Sequence, residues 1–262
     1  MKAPPEAHPP LPAALAALTG QGVAAIDTPA AVIDLDAMER NLARMAAFAR
    51  THGVRLRPHA KMHKSAAIAR LQMQAGAVGV CVQKTSEAEA MVAGGVTDVY
   101  ISNEVIAPHK LARVAALAQQ LAAAHGRLAI AVDSAEGITR LAQAMNDARG
   151  RGGQAAVIDV FVEIDVGQRR CGVAPGAAAV GLALEIRKHA ALRFAGLQAY
   201  HGKAQHLRTA QERREAIAIA VEDVVFTRRQ IEAQGIPVDL VTGAGTGSMV
   251  LEAASGIYGE LQ

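Results

Sequence analysis

A column of basic side chains in the segment RLRPHAKMH is the feature of this sequence best suited to chemistry. In an extended strand alternate side chains share a face, so Arg57, His59 and Lys61 would point one way and the apolar residues between them the other. A lysine amine becomes nucleophilic when burial and nearby cations lower its pKa from about 10.4. The segment therefore predicts a reactive Lys61 beside a second catalytic candidate, His59. The other interpretation is an exposed loop, because Pro58 disfavours a central strand.

A glycine-rich turn, in VDLVTGAGTGSMV, follows the last predicted strand. Glycines let backbone N–H groups approach an anion, and barrel phosphate sites typically follow the last two strands. The turn has neither the Gly-Lys-Ser/Thr ending of a nucleoside-triphosphate loop nor a βαβ unit after it. We predict phosphate binding by Gly245, Thr246, Gly247 and Ser248, with a plain tight turn as the alternative. A phosphate site near a lysine points to pyridoxal phosphate.

Two carboxylates alternate with apolar residues in VEIDV and are expected to face inward. Glu163 and Asp165 could balance Arg57 or orient His59, and structural charge pairing is favoured over direct catalysis.

Further candidates follow two predicted strands. Arg170, or the adjacent Arg169, offers a forked donor for a substrate carboxylate or a cofactor oxygen, and Tyr200 could bind the cofactor or simply pack. No metal site is predicted in this chain, because no pair among four histidines has a compelling ligand spacing: His59, His63, His201 and His206.

These candidates need a scaffold of alternating strands and helices. Strands are predicted at 31–35, 55–61, 78–83, 98–103, 128–133, 157–166, 194–200 and 238–243, and helices at 36–52, 108–125, 134–149 and 211–234. This rhythm predicts a closed parallel (β/α)8 barrel over residues 27–262, preceded by a Pro-rich tail, 1–26. An open doubly wound sheet is the alternative.

Composition excludes several classes of partner. The net charge is only +3 and the charged residues are scattered, so nucleic acid is not expected. No run approaches the ~20 apolar residues of a membrane span. The two cysteines form no CxxC motif, which favours a reducing, cytoplasmic setting, and prolines interrupt the one run that resembles a secretory signal.

Five motifs in order, RPHAKMHKS, ISNEV, DVGQRRCGV, GLQAYHG and TGAGTGS, resemble the D-threonine aldolase and D-serine dehydratase family of alanine-racemase-like, fold-type III pyridoxal-phosphate enzymes. The resemblance covers about 28–262 and is strongest to D-threonine aldolases. It implies a barrel of the alanine-racemase N-terminal type, in which Lys61 forms the Schiff base and residues 245–248 bind phosphate. Arg170 and Tyr200 would line the cofactor, and Gln83, which ends the strand at 78–83, joins these candidates.

The same resemblance implies cleavage of D-3-hydroxy amino acids such as D-threonine to glycine and an aldehyde. Dehydration of D-serine or D-3-hydroxyaspartate, a single-domain pyridoxal-phosphate carrier and a non-catalytic fragment are the alternatives. Relatives carry a second, β-rich domain that binds Mn, Mg or Zn, and they form homodimers. We expect that domain to be absent here, the tail 1–26 to be poorly ordered, and the barrel alone to turn over little substrate.

Overall fold

The computed structural model describes residues 13–150 and 155–262, which belong to two compact units, 1–41 and 42–262. The first unit contains helix α1 (Ala13–Ala16), a 3-10 turn (Val23–Ala25) and the start of α2 (Leu35–His52). The tail predicted at 1–26 lies partly outside the described residues, since 1–12 are not among them. The strand predicted at 31–35 is wrong. Residues 31–34 have no regular structure, and the side chain of Asp34 caps α2 by accepting the N–H of Ala37 at 2.9 Å.

The second unit alternates strands with helices. Its elements are β1 (Arg55–Leu56), α3 (Ala66–Gln74), β2 (Val80–Val82), α4 (Thr85–Ala93), β3 (Asp98–Glu104), α5 (Pro108–Ala123), β4 (Arg127–Val132), α6 (Ala135–Gly150), β5 (Ile158–Glu163), α7 (Ala177–Ile186), β6 (Leu192–Ala199), a 3-10 helix (Gly202–His206), α8 (Ala210–Glu232), β7 (Val241–Gly243), α9 (Met249–Ala254) and β8 (Glu260–Leu261). Among the described residues, no helix is long and apolar enough to cross a membrane.

The eight strands are all parallel and form a closed barrel. They follow the order β1-β8-β7-β6-β5-β4-β3-β2. The chain after β1 joins the two ends of this order, because Val78 N–H donates to Leu56 O and Cys81 N–H to Pro58 O, both at 2.9 Å, and Ala60 N–H donates to Cys81 O at 2.7 Å. The predicted barrel is therefore confirmed, and the open sheet is excluded.

Sequence pattern explains the two layers around the barrel wall. β5 (IDVFVE) is buried along its whole length, as expected for a parallel strand covered on both faces. In α5 the buried residues recur at helical spacing, as Leu111, Val114, Ala118 and Leu121 do, and face the strands. Helix α8 begins with a capping box between Thr209 and Glu212. Aliphatic residues make up most of this core, since aromatics are only 3% of the chain.

The barrel interior is filled by side chains. Cys81, Tyr100, Ala129, Ala131 and Phe161 form a second apolar cluster, in which the rings of Tyr100 and Phe161 lie 5.0 Å apart. A packed interior leaves the rim at the carboxyl ends of the strands as the place where this fold keeps its sites.

One strand was missed by the sequence prediction. β8 has only two residues and pairs with β7 on one side and β1 on the other. The run predicted as the eighth strand is therefore β7, and the glycine-rich turn follows the seventh strand of the barrel rather than the eighth.

Candidate functional site

Arg57 lies in the barrel, but its charge serves an internal ion-pair network. Its Nε donates to Glu260 Oε1 at 2.9 Å and its Nη1 to Asp98 Oδ1 at 2.6 Å, and the residue is only 5% exposed. Burial alone would lower the pKa of Arg57, yet the two carboxylates raise it above its ordinary value. A Cβ on Gly79 would clash with the Asp98 carbonyl oxygen and lie 2.6 Å from Arg57 Nη1, so glycine there makes room for the pair.

The carboxylates expected to balance Arg57 do something else. Asp165 Oδ1 accepts the N–H groups of Gly167 and Arg169, both at 2.9 Å, and so shapes the loop after β5. Glu163 accepts a hydrogen bond from Cys171 Sγ at 3.1 Å. The predicted pairing of Glu163 or Asp165 with Arg57 is therefore wrong, because the partners of Arg57 come from β8 and from the start of β3.

His59 and Lys61 follow β1 at the carboxyl end of the barrel. His59 forms a bridge to Cys81, its Nδ1 accepts the backbone N–H of Lys61 at 3.3 Å, and its Nε2 lies 3.4 Å from Ser102 Oγ. Burial, and then the charge of Lys61, lowers the pKa of His59 to about 4, while hydrogen bonding to Gln83 offsets part of the shift. His59 is therefore neutral near pH 7 and is not the neighbouring cation that the sequence suggested.

The amine of Lys61 has no partner in the described parts of the chain. Its side chain is half-buried in the turn after His59, and within 13–150 and 155–262 its Nζ makes no hydrogen bond or ion pair. Its neighbour Lys64, by contrast, is paired with Glu87. The second cation of the predicted column, Arg57, is turned toward Glu260 and Asp98. The strand predicted at 55–61 is shorter than expected, since β1 ends at Leu56 and Lys61 lies in a turn, and the three basic residues serve different purposes.

The loop after β5 and the end of β6 bring two more candidates together. The guanidinium carbon of Arg170 lies 5.6 Å from the ring centre of Tyr200, close enough for a cation–π contact. Arg170 also donates from Nε to Cys171 Sγ at 3.4 Å. Both Arg169 and Arg170 are exposed, but Arg170 is the one that contacts Tyr200.

The glycine-rich turn forms hydrogen bonds with the side-chain amide of Gln205. Gly247 N–H donates to Gln205 Oε1 at 2.5 Å, and Gln205 Nε2 donates to Ser248 Oγ at 2.7 Å. Ser248 in turn donates to the buried Glu252 at 2.8 Å. Burial raises the pKa of Glu252 to about 7. Thr246 is exposed and has no side-chain hydrogen bond in the described parts of the chain.

One cluster at the rim was not predicted from the sequence. Single ligand atoms of Glu104, Glu163 and Cys171 lie within 4.8 Å of one another. Burial, and then the nearby Glu104, raises the pKa of Glu163, and burial raises the pKa of the Cys171 thiol to about 12. The motifs ISNEV and QRRCGV contained two of these residues, but nothing in their spacing joined them.

Comparison with known proteins decides the family. The model of the alanine racemase N-terminal domain matches residues 33–258. This chain belongs to that family. The predicted resemblance and the predicted alanine-racemase type of barrel are thereby confirmed.

Comparison with individual proteins shows which members of this family the chain resembles. A D-threonine aldolase from Arthrobacter sp is 45% identical over 93% of this chain and 61% of its own length. The crystal structure of D-threonine aldolase from Filomicrobium marinum has a TM-score of 0.85 and 47% identity, covering 92% of this chain and 62% of that one. D-threo-3-hydroxyaspartate dehydratase from Delftia sp. HT23 has a TM-score of 0.72 and 33% identity, covering 90% and 60%. The chain thus spans about three fifths of the length of these relatives.

The residues present fit pyridoxal phosphate, the cofactor that this fold family implies. Lys61 offers an unpaired amine for the aldehyde. A Cβ on Gly245 would lie 2.7 Å from the Gln205 amide, so the turn accepts a polar group against its backbone only because glycine stands there. The amide oxygen of Gln205 occupies a place that a phosphate oxygen could take on Gly247 N–H.

Proposed function

We propose that this chain is the cofactor-binding barrel of a pyridoxal-phosphate-dependent lyase that cleaves D-3-hydroxy amino acids, such as D-threonine, to glycine and an aldehyde. The observation that carries the proposal is the unpaired amine of Lys61 at the carboxyl end of β1. The substrate class is supported by the 45% identity to a D-threonine aldolase along 93% of the chain.

Each candidate residue has a role that its surroundings support. Lys61 holds the cofactor covalently, and His59 fixes the backbone of Lys61 by accepting its N–H at Nδ1. Bound pyridoxal phosphate supplies an electron sink for cleavage of a bond at Cα. Arg170 and Tyr200 form one wall of the cofactor pocket and orient the ring.

The phosphate belongs to the turn after β7. Gly247 N–H provides a donor once Gln205 turns away, and Ser248 Oγ provides a second one when its own hydrogen bond to Glu252 breaks. Gly245 and Thr246 complete the turn. Gln83 lies near His59, beside the predicted site. None of these roles requires Arg57, because its guanidinium is paired with Glu260 and Asp98 inside the barrel.

A second candidate function is dehydration of D-serine or D-3-hydroxyaspartate. It is supported by 33% identity to a D-threo-3-hydroxyaspartate dehydratase with a TM-score of 0.72. The two reactions start from similar substrates and differ in the bond that breaks. Products separate them: glycine and an aldehyde for cleavage, ammonia and a 2-oxo acid for dehydration.

We also propose that the full enzyme requires a divalent metal (Mn, Mg or Zn) and works as a cytoplasmic homodimer. Both cysteines are free, which supports a reducing compartment. Size-exclusion chromatography with light scattering tests the dimer.

The cofactor site is tested by adding pyridoxal phosphate to the chain and recording its visible absorption. We expect a band of lysine-bound cofactor, and borohydride reduction followed by peptide mass spectrometry should place the label on Lys61. Lys61→Ala should lose the band, whereas Lys110→Ala, which removes an exposed lysine from α5, should keep it. Label on another lysine, or an unchanged band in Lys61→Ala, would refute the assignment. Because the barrel alone is expected to turn over little substrate, turnover of D-threonine or D-3-hydroxyaspartate with a metal added would exclude the carrier interpretation.

A further inference from the structure

The cluster of Glu104, Glu163 and Cys171 is built by three separate parts of the barrel rim. Glu104 ends β3, Glu163 ends β5, and Cys171 lies in the loop that follows β5. An irregularity between Ile101 and Glu104 places Glu104 level with Ala131, which faces the barrel interior. Such bulges re-aim side chains next to functional sites. The fold therefore turns Glu104 toward the other two residues.

Two carboxylate oxygens in this cluster are buried without a partner. Among the residues that the structure describes, neither Glu163 Oε2 nor Glu104 Oε1 has a hydrogen-bond partner. The Glu163 side chain is only 4% exposed. An unsatisfied buried carboxylate oxygen is costly, so these two atoms need either a proton shared between Glu104 and Glu163 or a bound cation.

One basic side chain approaches the cluster. The cation that faces it is Arg170, whose Nη2 lies 3.9 Å from Glu163 Oε1 and whose Nε lies 3.4 Å from Cys171 Sγ. The Arg170 side chain is 45% exposed, so its charge interacts only weakly with these groups. A divalent cation held by two carboxylates and a thiolate leaves one net negative charge, and Arg170 matches it.

We propose that Glu104, Glu163 and Cys171 form a binding site for a divalent metal of the zinc class, with a fourth coordination position open toward the barrel rim. Sulfur together with carboxylate oxygen suits Zn²⁺ and Cd²⁺, whereas Mg²⁺ and Ca²⁺ prefer oxygen alone. This site uses only residues of the barrel and does not depend on bound pyridoxal phosphate.

The distances suit such a metal. Zinc–ligand bonds of about 2.0–2.3 Å in a tetrahedron place neighbouring ligand atoms roughly 3.5 Å apart. Cys171 Sγ and Glu163 Oε1 are already 3.1 Å apart, and the widest separation in the cluster is at most 4.8 Å. A movement of the Glu104 carboxylate by about one ångström would therefore complete the ligand set. Binding would also anchor the loop that presents Arg170 to Tyr200.

The test is titration of the metal-free chain with Cd²⁺ and Zn²⁺, with neither cofactor nor amino acid added. We expect one equivalent of Cd²⁺ to produce the ultraviolet charge-transfer band of a cadmium thiolate, and calorimetry to show one Zn²⁺ bound. Cys171→Ser should abolish the band. Glu163→Gln and Glu104→Gln should each weaken Zn²⁺ binding by more than the roughly 10–100-fold that outer-sphere changes cost.

Two variants serve as controls. Cys81→Ser removes the other cysteine, and Glu222→Gln removes an exposed carboxylate on α8, so both should bind like the natural chain. Circular dichroism checks that every variant is folded. No stoichiometric binding by the folded natural chain, a band that persists in Cys171→Ser, or loss of binding in Glu222→Gln would overturn the site. These results leave the Lys61 assignment untouched, because that assignment has its own measurement.

Discussion

Replacing Arg57 with methionine should destabilise the barrel strongly, whereas the same change at Arg55 should not. Both arginines bind Glu260, Arg57 at Oε1 and Arg55 at Oε2. Their side chains differ in exposure, at 6% for Arg57 and 43% for Arg55, while that of Glu260 is 1% exposed. The pair of variants therefore compares a buried and a half-exposed partner of one carboxylate.

The expected loss in free energy of unfolding depends on which charges each substitution leaves without a partner. Removing one partner of a buried ion pair costs about 3–5 kcal/mol, because the other charge stays buried. Arg55 still binds Glu260 in Arg57→Met, and Asp98 remains 20% exposed, so we expect the lower end, about 3 kcal/mol. Arg55→Met should cost about 1 kcal/mol or less, as half-exposed pairs do.

Urea denaturation of both variants gives these free energies of unfolding, and thermal unfolding should show a fall in Tm of roughly 6–12 °C for Arg57→Met. The double variant Arg57→Met/Glu260→Gln should regain at least about 1 kcal/mol, since it no longer buries a carboxylate whose remaining partner is the half-exposed Arg55. Equal costs for the two single variants, or a double variant less stable than Arg57→Met, would refute the reasoning.

Two further predictions concern the glycine-rich turn. Gln205→Ala should tighten the binding of pyridoxal phosphate or inorganic phosphate by about tenfold, because the anion no longer has to displace two hydrogen bonds; weaker binding in calorimetry would instead show that Gln205 belongs to the site. The pKa of Glu252 is raised in the folded protein, so the folded state binds this proton more tightly than the unfolded chain does. The stability that this proton contributes is present at low pH and is lost as pH rises to about 7. Glu252→Gln should therefore gain stability over the natural chain between about pH 5 and pH 8, by at most about 3 kcal/mol. A stability difference that stays constant with pH in urea titrations would contradict this.

Local patterns predicted most of the strands but not the ends of the sheet. The runs that became β2 to β7 carry apolar residues on both faces, and a parallel strand needs no further signal. The run AVIDL has the same apolar pattern, yet it forms no strand and leads directly into a helix capped by Asp34. β8 has two residues, too few to show a period, and is a strand only because β7 and β1 lie on either side of it.

For the site, too, the sequence predicted what depends on neighbouring residues and not what depends on distant parts of the chain. Alternation placed Arg57 and His59 on the inner face, but their partners are supplied by distant parts of the chain. Glu260 is separated from Arg57 by 203 residues, and Asp98 reaches it only because residue 79 is glycine. The Glu104 cluster depends on a bulge, which no composition rule reveals.

The pairing of β1 with β8 is a short joint in the barrel wall. Arg55 and Glu260 meet there across 205 residues of chain, and each strand contributes two residues, whereas the ladder between β4 and β5 has four residue pairs. So long a loop is closed here by few backbone hydrogen bonds, and the ion pairs of Arg55 and Arg57 with Glu260 supply much of the remaining stability of this joint. Amide exchange at Arg55 and Arg57 should accordingly be faster than in β4 and β5. Lys61 follows β1, one of the two short strands of this joint, so local opening there would expose the segment that carries the predicted site.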